Sequence, residues 1–291
     1  YGDHRYLHSF PTRRSSDLVA IAVAVIPEAL PAVVTISLAL GVKRMVKRRA
    51  LIRKLPAVET LGATQIICSD KTGTLTKDEM TIRKIFYPNK VIDVTGIGYA
   101  PEGDFFEGTN KLNIREDARL QRLLEYGALC NDAKLIKDEE NVWDILGDPT
   151  EGSITVTAAK AKINIDEVQN LHPRTNEIPF SSETKRMTTI HKYDKNFISI
   201  SKGAPEIILN SSTHYRNNGN IFELDENTKK HFYEVYDQFA TQALRVIAIS
   251  SKELISDSEL AVAEVGMVFE GLFGMIDPIL KSASKVPCLV L

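Results

Sequence analysis

The sequence predicts an α/β protein preceded by one membrane-crossing helix, and three observations predict it. Residues 18–42 form an aliphatic run of 25 in which Glu28 is the sole charge, enough for the ~20 residues a spanning helix needs. Beyond Pro56, strand-length apolar runs alternate with segments of helical spacing. About 200 residues separate Thr76 from Asp277, far more than a loop takes, so a second domain is inserted there.

Composition bounds the function. With 43% hydrophobic and 25% charged residues in 291, the chain can bury sizeable cores. A net charge of -2 argues against a nucleic-acid partner, which would call for a basic excess. Cys68, Cys130 and Cys288 lack metal-ligand spacing and form no disulfide framework, so a reducing compartment fits most of the chain.

The elements follow in order. Residues 1–17 are polar, without helical or strand periodicity, and are similar to translated sequencing-adapter sequence; they are expected to be non-native or disordered. After the span come Lys43, Arg44, Lys47, Arg48, Arg49, Arg53 and Lys54 with no acidic residue among them, the pattern of a cytoplasmic flank. A buried core helix with a basic extension is the alternative. Residues 64–69 suit a buried strand ending at Asp70, and 80–87 alternate as a strand. Helices are expected over 116–130, 150–162 and 225–242, and strands over 186–191, 197–201, 244–250 and 266–275. The expected domains are 18–42 as the membrane helix, 43–86 as a basic linker with the first part of the Asp70 domain, 87–275 as the insertion, and 276–291 as the start of the second part of the Asp70 domain.

Within the span, Glu28 sits between Pro27 and Pro31. A carboxylate in an apolar helix costs a few kcal/mol and so reads as functional. Prolines free backbone oxygens beside it, which gives the hard-oxygen set that Ca²⁺ or Na⁺ needs; a kinked span with a neutralised Glu28 is the alternative. At the end of the expected strand, the string DKTGTLT (70–76) suits phosphoryl transfer. Asp70 can be the nucleophile, Lys71 and a Mg²⁺ ion can offset charge, Gly73 allows a tight turn, and Thr72, Thr74 and Thr76 supply hydroxyls. A polar loop with Asp70 as a helix cap is the other reading.

DKTGTLT as a whole resembles the signature of P-type ATPases. That resemblance implies an incomplete haloacid-dehalogenase-like phosphorylation domain carrying an inserted α+β nucleotide-binding domain. It implies an aspartyl-phosphate at Asp70, a backbone carbonyl of Thr72 and the Asp70 carboxylate on Mg²⁺, and phosphoryl support from Lys71 and Thr74. The stretch IPEALP (26–31) is similar to the ion-binding fourth membrane helix of calcium and related pumps. Carried over by position, Glu28 gives a carboxylate and Val23, Ala24 and Ile26 give carbonyls to a transported cation, with Ca²⁺ favoured; Ala29 stands where the family usually has glycine.

Four further segments resemble the family's nucleotide motifs, in family order. GDPTEG (147–152) implies that Glu151 contacts the adenine amino group, although by itself it reads as a good helix start. PFSSETKRM (179–187) implies stacking by Phe180 with Lys185 and Met187 nearby, where by default a phenylalanine is core. SKGAPE (201–206) implies that Lys202 and Gly203 line the ATP site, and LRV (244–246) implies a phosphate contact by Arg245.

The resemblance covers residues 19–278 and implies a fragment of an integral membrane pump with these domains on the cytoplasmic side. The downstream Mg²⁺-binding aspartates, the actuator loop and the other membrane helices are absent from the sequence. The fragment is expected to bind ATP alone. A soluble haloacid-dehalogenase phosphatase and a non-catalytic nucleotide-binding remnant are the competing readings.

Overall fold

The computed structural model describes residues 12–25, 29–70 and 73–280. It divides into two compact units, Tyr1–Cys68 and Ser69–Leu291.

The first unit holds three helices, α1 (Thr12–Val25), α2 (Leu30–Lys47) and α3 (Pro56–Ala63). Pro31 falls in the first turn of α2, where a missing N–H costs no hydrogen bond. Arg44 and Lys47 lie in its last turn, which suits the negative end of the helix dipole. The described side chains are mostly exposed, among them Leu18, Ile21, Leu30, Val33, Ile36 and Leu40. Gly41 of α2 lets α3 approach, since a Cβ there would stand 3.0 Å from Val58.

Three expectations are corrected here. The single helix over 18–42 is instead α1 and α2, with 26–28 outside the described residues. Among the described residues no helix is long and apolar enough to cross a membrane. Helix α1 also begins at Thr12, inside the segment read as non-periodic. Residues 64–69 form no strand, and Ile66 and Ile67 are 81% and 75% exposed. A strand needs a neighbour for its backbone groups, and no described segment pairs with this one.

The second unit is built on an eleven-stranded sheet. Its strands are β1 (Thr81–Tyr87), β2 (Lys90–Val94), β3 (Phe105–Glu107), β4 (Asn110–Lys111), β7 (Arg174–Ser181), β8 (Arg186–Tyr193), β9 (Asn196–Gly203), β10 (Ser212–Asn217), β11 (Asn220–Glu223), β12 (Arg245–Leu254) and β13 (Met267–Ile276). The main order is β4-β3-β2-β1-β13-β12-β9-β8-β7, with β10 parallel to β13 and β11 paired to β10. A separate hairpin joins β5 (Lys134–Lys137) to β6 (Trp143–Leu146).

Helices cover both faces. On one lie α4 (Ala118–Leu129), α5 (Pro149–Lys160) and α6 (Ile165–Leu171). On the other lie α7 (Pro205–Ser211) and α8 (Glu226–Thr241). Alternation sorts the strand side chains: Ile85, Ile249, Phe273 and Met275 join Leu120, Leu124 and Ile154 in one core, while Phe86, Ala248 and Leu272 join Phe232 and Phe239 in the other. Central β13, enclosed on both faces, therefore reads as a nearly unbroken apolar run. At Gly127 of α4 a Cβ would meet Ile154 at 2.8 Å and Phe273 at 3.1 Å, so glycine sets how closely the helix lies on the sheet.

Within this unit, residues 75–77 pair with residues 278–280. Thr76 bridges Ile279, Lys77 N donates to Pro278 O at 3.0 Å, and Leu280 N donates to Leu75 O at 2.9 Å. The end of the DKTGTLT string is thereby joined to Asp277 and Pro278, about 200 residues later in the sequence.

Candidate functional site

Glu151 stands in the first turn of α5. Asp148 caps that helix by accepting from Thr150 N at 2.8 Å and Glu151 N at 3.3 Å, with Pro149 in the first turn. The GDPTEG segment is thus a strong helix start, and the same cap orients Glu151. Its Oε1 accepts from Lys202 Nζ at 2.6 Å, and its Oε2 accepts from Asp132 N at 3.0 Å. Asn131 Nδ2 adds a bond to Glu151 O at 2.9 Å.

Lys202 lies on β9 with Met187 across from it on β8 and Ile249 on β12. It is only 5% exposed, so its ammonium relies on Glu151 in place of water. Met187, also buried, belongs to the adjoining core. Next along β9, Gly203 lies opposite Arg186 and Ala248. A Cβ at Gly203 would fall 2.5 Å from Lys185 O, closer than real side chains come, so the 181–185 turn can fold down only over glycine. That turn is closed by Lys185 N donating to Ser181 O at 2.7 Å and is tied to β9 by Ala204 N donating to Lys185 O at 3.0 Å. Lys185 holds a left-handed φ of 51°.

Phe180, near the end of β7, is 63% exposed. The ring is therefore not core, the default alternative to stacking, and it is open to a planar partner. Arg245, exposed, opens β12 three residues before Ala248, the partner of Gly203. Phe180, Lys185, Gly203 and Arg245 thus mark the same end of four consecutive strands, β7, β8, β9 and β12, with the Lys202–Glu151 pair just inside. Such an edge offers a ring to stack on, three cationic side chains and a bare stretch of backbone, which is what an anionic heteroaromatic ligand needs.

The other expected residues are spread more widely. Asp70 is exposed and lies outside any helix or strand, and its carbonyl accepts from Ser69 Oγ at 3.0 Å. Lys71 and Thr72 lie outside the described residues, as do Ile26 and Glu28. Thr74 is exposed in the turn after Gly73, whose φ of 69° is the left-handed conformation expected of it. Val23 and Ala24 are exposed on α1. Among the described residues no group of three or more His, Cys, Asp or Glu side chains could hold a metal ion. Of the two residues expected on Mg²⁺, Asp70 and Thr72, only Asp70 is among the described residues, and one carboxylate falls short of a near-octahedral oxygen set.

Sequence reasoning passed over Asn131 and Asp132, which touch Glu151, and Arg174, which bonds to both of them. Asn and Asp after a helix are common turn residues, and no spacing in the sequence links them to α5.

The chain matches the family model described as P-type ATPase, cytoplasmic domain N, over residues 119–281. It is 40% identical over 264 residues to the calcium-transporting ATPase of Bacillus subtilis (strain 168), covering 89% of this chain and 29% of that protein. It is 39% identical over 269 residues to the cation-transporting ATPase pma1 of Synechocystis sp., with the same coverage of 89% and 29%. To the human calcium-transporting ATPase type 2C member 1 it is 38% identical over 265 residues, 89% of this chain and 27% of that one. The chain therefore spans under a third of the length of the curated relatives it matches.

Proposed function

The chain belongs to the P-type cation-transporting ATPases, and from that premise we propose that its second unit binds ATP at the strand ends around Lys202. Phe180 stacks on the adenine, Glu151 accepts from its amino group with Lys202 beside it, Lys185 lies by the nucleotide and Arg245 contacts the phosphates, while Gly203 lets the backbone approach and Met187 backs the site. The observation that carries this reading is the buried Lys202 ammonium held by Glu151 at 2.6 Å. An ion pair taken out of water is a poor stabiliser compared with apolar packing, so its presence at an otherwise open strand end points to recognition.

The whole protein, on this proposal, uses that ATP to modify Asp70. A carboxylate oxygen of Asp70 attacks the γ-phosphorus, the bond from that phosphorus to the β–γ bridging oxygen breaks, and ADP leaves with the electron pair. Lys71, Thr72 and Thr74 orient and neutralise the transferred group. The phosphorylation is coupled to movement of a cation, Ca²⁺ foremost, past Glu28 and the carbonyls of Val23, Ala24 and Ile26 in the bilayer, with the nucleotide unit on the cytoplasmic side. The exposed aliphatic side chains of α1 and α2 and the basic residues that follow support that placement.

Calorimetric titration of the 291-residue chain with ATP tests the nucleotide reading. Saturable binding weakened by both Phe180→Ala and Lys202→Ala supports it; a folded chain that takes up no ATP overturns it.

A further inference from the structure

We propose that Arg174 is a positioning residue for the candidate nucleotide site, fixing the Asn131–Asp132 turn that holds the Glu151 carboxylate in place. The proposal rests on the reading of Glu151 as the group that recognises the base. Arg174 opens β7 and spreads its guanidinium over the C-terminal end of α4. Nη2 donates to Leu129 O at 3.3 Å and to Asn131 O at 2.8 Å. Nη1 donates to Asp132 Oδ1 at 2.7 Å and to Glu177 Oε2 at 2.9 Å. One planar side chain thus binds two carbonyls at a helix end, where positive charge is favoured, and a carboxylate of the following turn.

The turn held this way is the one that touches Glu151. Asp132 N donates to Glu151 Oε2 at 3.0 Å and Asn131 Nδ2 donates to Glu151 O at 2.9 Å. Asn131 Oδ1 accepts from Ala133 N at 2.8 Å, which fixes the amide so that its Nδ2 faces α5. A continuous path therefore runs from Arg174 through residues 131 and 132 to Glu151 and on to Lys202. With Arg174 gone, the Leu129 and Asn131 carbonyls turn to water and the Asp132 N–H loses its fixed aim. Glu151 then keeps Lys202 but loses the second partner that sets the plane of its carboxylate. A lysine cannot replace the arrangement, because one ammonium does not offer a planar fork to two carbonyls and two carboxylates at once.

The test uses the 291-residue chain with Arg174→Met and Arg174→Lys, and Glu151→Gln for comparison. Two quantities are read: hydrogen exchange at the Asp132 amide without nucleotide, and the ratio of dissociation constants for GTP and ATP. In both arginine variants the Asp132 amide should exchange about tenfold faster or more, with the amide of Ile249 in the central sheet unchanged. The preference for ATP over GTP should fall by roughly threefold or more, toward that of Glu151→Gln. Unaltered Asp132 exchange overturns the proposal, and so does faster exchange with an unaltered preference, which reduces Arg174 to a helix cap. Should Arg174→Met fail to fold, Arg174→Lys decides. Should the unmodified chain bind neither nucleotide, the nucleotide reading fails while Asp132 exchange alone still decides whether Arg174 positions the turn.

Discussion

The hydroxyl of Thr76 donates to Asp277 Oδ2 at 2.5 Å, joining two residues 201 apart in sequence. Both are buried, at 3% and 7% exposure, and the bond is backed by the Lys77–Pro278 and Leu75–Leu280 backbone pairs. The end of the DKTGTLT string and the segment leading from β13 are in this way tied together. The bond matters because a buried carboxylate deprived of a donor bears its own desolvation penalty. Thr76→Val should therefore cost about 1–3 kcal/mol of stability. Urea unfolding followed by Trp143, the single tryptophan, measures it. A change under a few tenths would mean that other donors already satisfy Asp277.

The Lys202–Glu151 pair makes a second prediction. Lys202 is nearly enclosed while Glu151 keeps 19% of its side chain exposed, so removing one partner costs less than for a wholly buried pair. Lys202→Met and Glu151→Gln should each lose roughly 1–3 kcal/mol, and the double variant should lose less than their sum. A double-mutant cycle reads the coupling directly. Additive losses would mean the two groups do not sense each other.

Gly203 can be tested apart from any charge. Alanine there would set its Cβ 2.5 Å from Lys185 O and 2.7 Å from Arg186 Cβ, forcing β9 and the 181–185 turn apart. We expect Gly203→Ala to destabilise the unit by roughly 1–3 kcal/mol and to weaken ATP binding further than the lost stability accounts for. Binding and melting measured on the same sample separate the two effects.

The central sheet was legible because its pattern is strong. Strand β13, enclosed on both faces, announces itself as an apolar run, and α4 and α8 carry their burial at helical spacing. The smaller strands were not read. Hairpin β10–β11 turns through Asn218 and Gly219, both at positive φ, and this Asn-Gly pair is its one strong local signal. Edge strand β7 alternates half-buried with exposed residues and contains Pro179, which weakens any strand pattern. At residues 64–69 the local apolar pattern was clear, but strand formation also needs a neighbour, which lies beyond local pattern. At the candidate site, Glu151, Lys202 and Gly203 lie in segments with a motif signal. Arg174 and Asn131 were missed because their contacts join α4, α5 and β7 at separations no periodicity records.

His191 sets an acid limit. It is buried on β8, with Nδ1 against His172 O at 2.9 Å and Nε2 against Thr189 Oγ1 at 2.9 Å. Burial, aided by the nearby Arg174 charge, lowers its pKa to about 4. The unfolded chain binds this proton from pH 6.5 downward and the folded chain resists it until about 4, so the unfolded state holds more protons in between. Stability should accordingly be full above pH 6.5 and fall as pH drops toward 4, by up to about 3 kcal/mol. His191→Gln, which keeps a donor and an acceptor but does not titrate, should remove that part of the slope. An unchanged slope would assign the acid loss to carboxylates.

Lys160 works in the opposite pH range by the same physics. It is 4% exposed at the end of α5, and Nζ donates to Thr95 O at 2.9 Å, a neutral acceptor. Burial and the charge of Arg83 lower its pKa from 10.5 to about 8. Between these values the unfolded chain binds the proton and the folded chain does not, so stability should rise as pH goes from 8 toward 10. Above pH 10 the buried tyrosines, Tyr126 among them, reverse the trend: burial raises their pKa, so the unfolded chain loses their protons first. Lys160→Met eliminates the titration at the expense of one hydrogen bond to Thr95. Relative to the parent chain the variant should therefore gain about 1–3 kcal/mol between pH 10 and pH 7. Urea melts of both chains at the two pH values test this. Equal differences at pH 7 and pH 10 would show that Lys160 reaches enough water to keep its ordinary proton.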